Sequence, residues 1–162
     1  MAHGNKKGDE EGIQVICRNK RALHEYSILE TLECGLVLKG TEVKSLREGQ
    51  TSLEDAYAKI EDGELWLIGS DIPEYTFGNR LNHKPKRPRK LLVHRREIAK
   101  FAGKASQRGF TLVPLRMYFK HGKAKVELAV AKGKQSHDKR EAVKKSEAQK
   151  EIRRAMTAKN RY

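Results

Sequence analysis

Cysteine is scarce in this sequence, and its spacing excludes one common class of site. Of the 162 residues only Cys17 and Cys34 are cysteines, they form no CxxC pair, and the six histidines are scattered along the chain. This pattern predicts no recognisable zinc site. We interpret both thiols as buried side chains of a protein in the reducing cytosol, and we expect neither a metal ion nor a cofactor.

Long apolar runs are missing as well. No segment approaches the roughly 20 apolar residues that a membrane-spanning helix needs, and residues 1–12 lack the apolar core of a signal peptide. The hydrophobic content of 37% can support one modest core. We therefore expect a soluble, cytoplasmic, monomeric protein with one folded domain and no membrane partner.

Catalytic motifs are absent from the sequence too. It contains no Gly-rich phosphate loop, nucleophile elbow, HExxH motif or acidic cluster for Mg²⁺. His24 with Glu33 or Glu42 is the candidate acid/base pair of an RNA-processing enzyme, but no spacing singles these residues out. The sequence favours a protein that is not an enzyme.

Aromatic residues make up only 6% of the chain, and most of them fall on predicted strands, where core packing explains them. Arg108-Gly109-Phe110 resembles the start of an RNA-recognition-motif signature, but Thr111 and Pro114 break that pattern. A base-stacking platform is therefore not predicted.

Positive charge is what the sequence has in excess. Lys and Arg total 35 against 21 acids, a net charge of +14, and a field of that sign attracts phosphate polymers. Residues 132–162 alone hold eleven Lys or Arg and four acids, so the C-terminus is a separate electrostatic unit. Because no helix-turn-helix, zinc finger or basic zipper is present, folded RNA is favoured over DNA.

The most concentrated charge lies inside the chain, at GNRLNHKPKRPRKLL (78–92). Pro85 and Pro88 favour an extended backbone, so the basic side chains around them are expected to project from a track toward a phosphate backbone. These side chains are Lys84, Lys86, Arg87, Arg89 and Lys90. An amphipathic helix over 94–104 adds a second basic face.

Turn signals predict the rest of the domain. Asp62-Gly63 and His121-Gly122 each lie between alternating apolar runs, which predicts two β-hairpins. Pro114 implies an edge or a bulge, and Gly35 suggests a bulge in an extended piece over 26–40. Thr41 is expected to cap a short helix over about 42–48. A strand-dominated α+β domain follows.

Both ends differ from this domain. Residues 1–12 are Gly-rich and charged, which predicts disorder, and the folded domain is expected over 13–132. Apolar residues then become rare, although Asp138 and Glu141 have capping-box spacing, so a helix over about 139–157 is latent. We expect residues 133–162 to be a tail that is disordered when free and becomes helical on a partner.

Six stretches in collinear order resemble the SsrA-binding protein family, also called small protein B, the partners of transfer-messenger RNA in trans-translation. They are NKRALHEY (19–26), LECGLVLKGTEVKSLREG (32–49), NHKPKRPRKLL (82–92), TLVPLRMYF (111–119), LAVAKGK (128–134) and HDKR (137–140). The resemblance implies a small antiparallel barrel, similar to oligonucleotide-binding barrels, with flanking helices and a basic C-terminal tail.

The resemblance also implies site residues. The surface facing the tRNA-like domain of transfer-messenger RNA would be formed by Asn19, Lys20, Arg21, His24, Glu33, Lys44, Arg89, Lys90, Leu92 and His94. The segment meeting the decoding centre and the empty mRNA channel of a stalled ribosome would be Gly133, Lys134, His137, Asp138, Lys139 and Arg140. Gln135 departs from the family pattern, where a second Lys is usual. For Glu33, an internal salt bridge is the alternative.

By the same resemblance, the partners would be transfer-messenger RNA and ribosomal RNA. Elongation factor Tu with GTP would act with them, and alanyl-tRNA synthetase would be involved indirectly, through the RNA. Two alternatives stay open at this point: an RNA-processing enzyme, and a structural protein held on ribosomal RNA.

Overall fold

The computed structural model describes residues 12–78 and 81–159, with the backbone alone at 136–138 and 159. The predicted disorder of residues 1–12 therefore lies almost wholly outside the described residues. The strands and helices follow in chain order: β1 (Ile13–Arg18), α1 (Lys20–Glu25), β2 (Tyr26–Leu36), α2 (Gly40–Arg47), β3 (Tyr57–Glu61), β4 (Glu64–Ile68), β5 (Arg89–Leu92), α3 (Arg95–Ala105), β6 (Phe110–Lys120), β7 (Lys123–Gly133) and α4 (Ser136–Lys159).

Six antiparallel strands close into a barrel. Their order is β6-β3-β4-β5-β2-β7, and β7 pairs back onto β6. The seventh strand, β1, pairs with the C-terminal half of β6. This is the predicted fold class, a mainly β, α+β barrel with flanking helices, and it is confirmed.

The core fills the barrel with alternate side chains of its strands. Leu65 and Leu67 of β4, Met117 of β6 and Val126 and Leu128 of β7 have essentially no exposed surface. At one end of the barrel Phe101 anchors α3 to this core. A smaller buried cluster of Ala22, Val113, Ala129 and Ala131 seats α1 against β6 and β7.

Both predicted hairpins are confirmed, with the backbone that their turn residues favour. Asp62 and Gly63 have φ of 52° and 73° between β3 and β4, and His121 and Gly122 have φ of 49° and 76° between β6 and β7. Two successive positive φ values define a type I′ turn, whose twist matches that of the flanking strands. Local chemistry therefore sets the register of both hairpins.

The two predicted bulges have different outcomes. The register of β6 against β7 shifts between Pro114 and Arg116, as the proline implied. The bulge expected at Gly35 is wrong, because the shift in β2 lies between Ile28 and Glu30. A Cβ at Gly35 would lie 3.3 Å from the Cβ of Leu92 on β5, so this glycine permits a close approach of two strands.

Helix α2 begins earlier than predicted, at Gly40, and its N-cap is Lys39 rather than Thr41. The hydroxyl of Thr41 lies instead 2.8 Å from Nδ1 of His83.

The tail segment forms α4, whose described side chains from Val143 onward are all exposed. None of the helices in the described part of the chain is long and apolar enough to cross a membrane.

Candidate nucleic-acid interface

Asn19 caps α1 from inside the protein. Its Oδ1 accepts a hydrogen bond from the Ala22 amide at 3.0 Å, and its Nδ2 donates to the carbonyls of Leu53 and Pro114, both at 3.0 Å. The residue is buried, and the structure uses all three of these polar contacts internally. Asn19 therefore does not face solvent as the resemblance implied; it holds α1 on the barrel.

Three basic side chains of α1, those of Lys20, Arg21 and His24, are exposed, and we call them the α1 surface. Arg21 forms an ion pair with Glu25 at 3.0 Å and a longer one with Asp55 at 3.4 Å. The hydrogen bond and the charge of Glu25 raise the pKa of Arg21. Its guanidinium is thus positioned but still open to solvent.

The tail leaves the barrel beside this surface. Gly133 is the last residue of β7 and pairs with Tyr26, and the amide of Lys134 donates to the carbonyl of Glu25 at 2.8 Å. The Lys134 ammonium lies 3.4 Å from the carbonyl of Leu23. We call Gly133 and Lys134 the tail root, and its contacts fix where α4 starts.

Of the other predicted tail residues, Arg140 is exposed and Lys139 is partly exposed, and both lie in the first turns of α4. His137 and Asp138 belong to the same helix, but their side chains lie outside the described residues. The residues predicted to meet the decoding centre therefore all lie within one stretch of chain, 133–140, that begins at the tail root.

Glu33 lies on the outer face of β2 and accepts hydrogen bonds from two neighbours. The hydroxyl of Tyr118 donates to its Oε2, and the ammonium of Lys120 lies 3.4 Å from the same oxygen. Burial alone would raise the pKa of Glu33, but these two hydrogen bonds lower it. The alternative of an internal salt bridge is therefore present in the structure, although the carboxylate keeps an exposed side.

Sequence reasoning missed the residues that surround Glu33. Arg116 forms an ion pair with Glu127 and lies 4.8 Å above the ring of Tyr118. Burial, followed by the neighbouring Glu33 carboxylate, raises the pKa of Tyr118. Alternate polar residues on β6 and β7 were the available signal, because residues two apart on a strand share a face. They form an ordered polar face around Glu33.

Leu92 and His94 lie at the far end of β5. Leu92 pairs with Gly35 and is 55% exposed, so it presents an apolar side chain to solvent. His94 is the exposed N-cap residue of α3. Together with Glu33 these two residues form what we call the β2–β5 surface.

Lys44 and Lys90 are accessible but not free of neighbours. The Lys90 ammonium lies 2.7 Å from a carboxylate oxygen of Glu64. The Lys44 ammonium lies 5.5 Å from the ring centroid of Tyr75, within cation–π range. Exposed pairs of this kind contribute little to stability, so both lysines can exchange these partners for a phosphate.

Arg89 does not project from a track as the sequence analysis predicted. It has no exposed surface, and neither does Glu42, to whose Oε2 it donates at 2.6 Å. Arg89 also donates to Ser70 and to the carbonyl of Pro85. Arg87 binds the same Glu42 carboxylate. Two of the five side chains of the supposed basic track thus belong to an ion cluster that holds the segment against α2.

The α1 surface and the β2–β5 surface therefore lie toward opposite ends of β2. Tyr26, beside α1 and the tail root, and Glu33 are seven residues apart on this strand, roughly 23 Å at the usual rise. His24 and Glu33 are consequently too distant to form an acid/base pair, and Glu42 is buried in its ion cluster.

No group of three or more His, Cys, Asp or Glu in the described part of the chain could hold a metal ion.

The comparisons with known proteins agree with this geometry. The family model described as SmpB protein matches residues 16–158. The chain belongs to the SmpB family. The SsrA-binding protein of Desulforudis audaxviator is 57% identical over 92% of this chain and 97% of its own length. That of Frankia casuarinae is 55% identical over 94% of this chain and 98% of its own.

A solved structure provides the matching fold. It is described as "tmRNA-SmpB: a journey to the center of the bacterial ribosome", and one of its chains superposes with a TM-score of 0.65 at 47% identity. The match covers 82% of this chain and 95% of that chain. The SmpB assignment thus rests on sequence and on structure alike.

Proposed function

We propose that this SmpB-family chain binds the tRNA-like domain of transfer-messenger RNA and acts in trans-translation as an adaptor, not as an enzyme. The observation that carries the proposal is the family match over residues 16–158, together with close relatives named SsrA-binding protein. A structural neighbour described as tmRNA-SmpB in the bacterial ribosome supports the ribosome as the second partner.

The two surfaces suit a folded RNA. Lys20, Arg21 and His24 present cations that can neutralise phosphates and fix register, whereas Glu33 and Leu92 offer an acceptor and an apolar contact. A carboxylate can accept from base or 2′-OH donors, a role that lysine cannot fill. The β2–β5 surface would therefore read the shape of the RNA, and the α1 surface would grip its backbone.

The tail would act on the ribosome. We propose that the tail, residues 133–162, is disordered beyond the tail root in the free protein, enters the empty mRNA channel of a stalled ribosome and is helical there. The stretch from Gly133 to Arg140 would lie at the decoding centre. Isolated helices are marginal in water, and the described side chains of α4 from Val143 onward are all exposed. The tail root places the start of this helix beside the α1 surface.

Delivery would depend on other molecules. Alanyl-tRNA synthetase would charge the RNA, and elongation factor Tu with GTP would carry the charged RNA and this protein to the ribosome. Peptidyl transfer and tagging would then occur without a catalytic group from this chain. Its contribution would be geometric and electrostatic.

Recovery of the protein from a bacterial lysate, followed by sequencing of the associated RNA, tests the proposal. Transfer-messenger RNA should dominate the recovered RNA. Turnover of end-labelled structured RNA by the purified protein alone would instead indicate an enzyme. Persistence on salt-washed ribosomal subunits at stoichiometric level would indicate a structural ribosomal protein.

RNA affinity should fall steeply with salt. Neutralising about six phosphates implies a slope of roughly −4 to −5 for log K against log salt concentration. Substituting Lys20 by Ala should reduce the magnitude of that slope by about 1, whereas Lys59→Ala, on β3 outside both surfaces, should not change it. Filter binding between about 50 and 200 mM salt measures this, and a flat dependence contradicts the proposed surfaces.

Glu33→Gln should lower specificity more than overall affinity. The amide keeps the shape and can still accept from Tyr118, but it loses the charge that strengthens an accepted hydrogen bond by roughly a factor of two in energy. We expect binding to the tRNA-like domain to weaken about 10-fold while binding to generic duplex RNA is unchanged. Glu127→Gln, directly opposite on β7, is the matched control.

A further inference from the structure

The segment between β4 and β5 contains a turn that is held by hydrogen bonds among its own residues. The amide of Gly78 donates to the carbonyl of Tyr75 at 2.8 Å. Asn82 then closes the turn with both ends of its side chain, since its Oδ1 accepts from the Tyr75 amide at 3.3 Å and its Nδ2 donates to the Tyr75 carbonyl at 2.8 Å. A Cβ at Gly78 would lie 2.5 Å from that Nδ2 and 3.0 Å from the Tyr75 carbonyl oxygen, so a side chain at this position would displace the Asn82 amide. We call residues 75–78 the aromatic turn.

The aromatic turn is anchored to the protein interior. His83 has no exposed surface, and its Nε2 lies 2.7 Å from the carbonyl of Ile72 while its Nδ1 lies 2.8 Å from the hydroxyl of Thr41. Ser45 of α2 donates to the carbonyl of Pro73 at 2.8 Å. Asn82 and His83 of the NHKP stretch thus support the aromatic turn, and this accounts for them without any contact to RNA.

The anchored turn presents the aromatic ring of Phe77 to solvent. Phe77 is 82% exposed and packs edge-on against Tyr75, with ring centroids 5.8 Å apart and planes at 67°. Lys44 lies over the ring of Tyr75. An exposed Phe gains nothing for the fold, because its apolar surface stays in water, whereas its open face can stack on another flat group.

The charge around the aromatic turn indicates what that group is. Among the residues that the structure describes, exposed cations on α2 and on the segment after Asn82 outnumber the exposed acids that flank α2 and the aromatic turn. The cations are Lys44, Arg47, Lys84 and Lys86, and the acids are Glu48 and Glu74. Aromatic faces flanked by lysines are the arrangement that binds unstacked bases of RNA, with the ring under the base and the cations on its phosphates.

We infer that Phe77, held by Asn82 and flanked by Lys44, is a stacking site for an unpaired base of the bound RNA. The inference rests on the proposed function, because it assigns a further contact to the same RNA. It departs from the expectation from the sequence that no base-stacking platform exists. That expectation placed the aromatic residues on strands, whereas Tyr75 and Phe77 lie on a turn between strands.

The full-length protein and a transcript of the tRNA-like domain of transfer-messenger RNA provide the test. Phe77→Ala should weaken binding about 5- to 20-fold, the lower part of the range for loss of one stacked base, without altering the salt slope. Phe77→Tyr should restore the affinity and Phe77→Leu should not, because leucine keeps apolar area but has no π face. Lys44→Ala should reduce the magnitude of the salt slope by about 1.

Thr76→Ala, an exposed change on the same turn, is the matched control and should bind like the original chain. Replacing Phe77 by the photoreactive residue benzoylphenylalanine gives an independent readout, and irradiation of the complex should join it to an unpaired nucleotide. Three binding results would each overturn the inference: Phe77→Ala binding like the original chain, Phe77→Leu restoring affinity, or Thr76→Ala weakening binding as much as Phe77→Ala. Crosslinks to base-paired nucleotides only would overturn it as well. Failure of the original chain to bind the transcript would instead overturn the proposed function.

Discussion

Glu42→Ala should destabilise the protein by about 3–5 kcal/mol, the cost of removing one partner from a buried ion cluster. Glu42 has no exposed surface and binds both Arg87 and Arg89, and its Oε1 also accepts from the amide of Lys39 at 2.8 Å. Removing this carboxylate leaves the guanidinium of Arg89 buried with no counter-ion. That loss is a large part of the stability of an ordinary domain. Urea unfolding followed by circular dichroism measures it.

A matched control lies at the end of the same helix. Glu48 is exposed at the C-cap of α2, so Glu48→Ala should change the free energy of unfolding by no more than about 0.5 kcal/mol. If both substitutions cost the same, the buried cluster does not stabilise the fold as argued. Glu42→Gln should lie between them, because the amide oxygen can still accept from one arginine.

The same cluster makes stability depend on pH in a defined direction. Burial alone would raise the pKa of Glu42, but hydrogen bonds from Arg87 and from the Lys39 amide, with the charge of Arg89, lower it below its ordinary value of 4.5. A carboxyl whose pKa is lowered by folding contributes stability above the unfolded value and loses it as pH falls through the folded one. Acid should therefore destabilise the original chain more steeply than Glu42→Gln below about pH 4.5.

Sequence reasoning succeeded where the structure depends on neighbours along the chain. The two hairpins follow from Asp62-Gly63 and His121-Gly122, because a type I′ turn needs two positive φ values and these residues accept them. Pro114 marked the irregularity in β6 for a similar local reason. The resemblance supplied the barrel itself, which local patterns left as an unspecified strand-rich domain.

Sequence reasoning failed where the decisive partner is far away. Arg89 is indistinguishable from its basic neighbours in the sequence, and its burial follows from Glu42, which lies 47 residues earlier. Strand β5 was missed for the same reason, since its four residues gain their order from pairing with β4 and β2. Asn19 likewise looked like an RNA contact, but its partners Leu53 and Pro114 are 34 and 95 residues away.

These errors change the picture of the interface. Positive charge near Pro85 and Pro88 is divided between an internal cluster and an exposed set, so total charge overstates what an RNA can reach. The internal cluster positions the strand that carries Lys90 and Leu92, because Arg89 is the first residue of that strand and its side chain is held by Glu42. Damage to Glu42 should therefore weaken RNA binding indirectly, in proportion to the unfolded fraction.

Removal of the tail should separate RNA binding from ribosome rescue. A chain ending at Gly133 should keep nearly all of its affinity for the tRNA-like domain but should abolish tagging of proteins on stalled ribosomes. The α1 surface, the β2–β5 surface and the core all lie within the retained residues. Filter binding and a tagging assay in a reconstituted translation system measure the two properties separately.

The tail root makes a sharper comparison possible. Lys134 donates to the carbonyl of Glu25 and contacts that of Leu23, so a chain ending at Gly133 loses two contacts to α1 that a chain ending at Gln135 retains. The longer chain should bind RNA like the full chain, because α1 stays anchored, and should be equally inactive in tagging, because α4 is absent in both. Tagging by either truncated chain would remove the tail from the mechanism. An equal, large loss of RNA affinity in both chains would instead show that α4 itself contacts the RNA. The longer chain keeps the contacts of Lys134, so their loss could not explain its weaker binding.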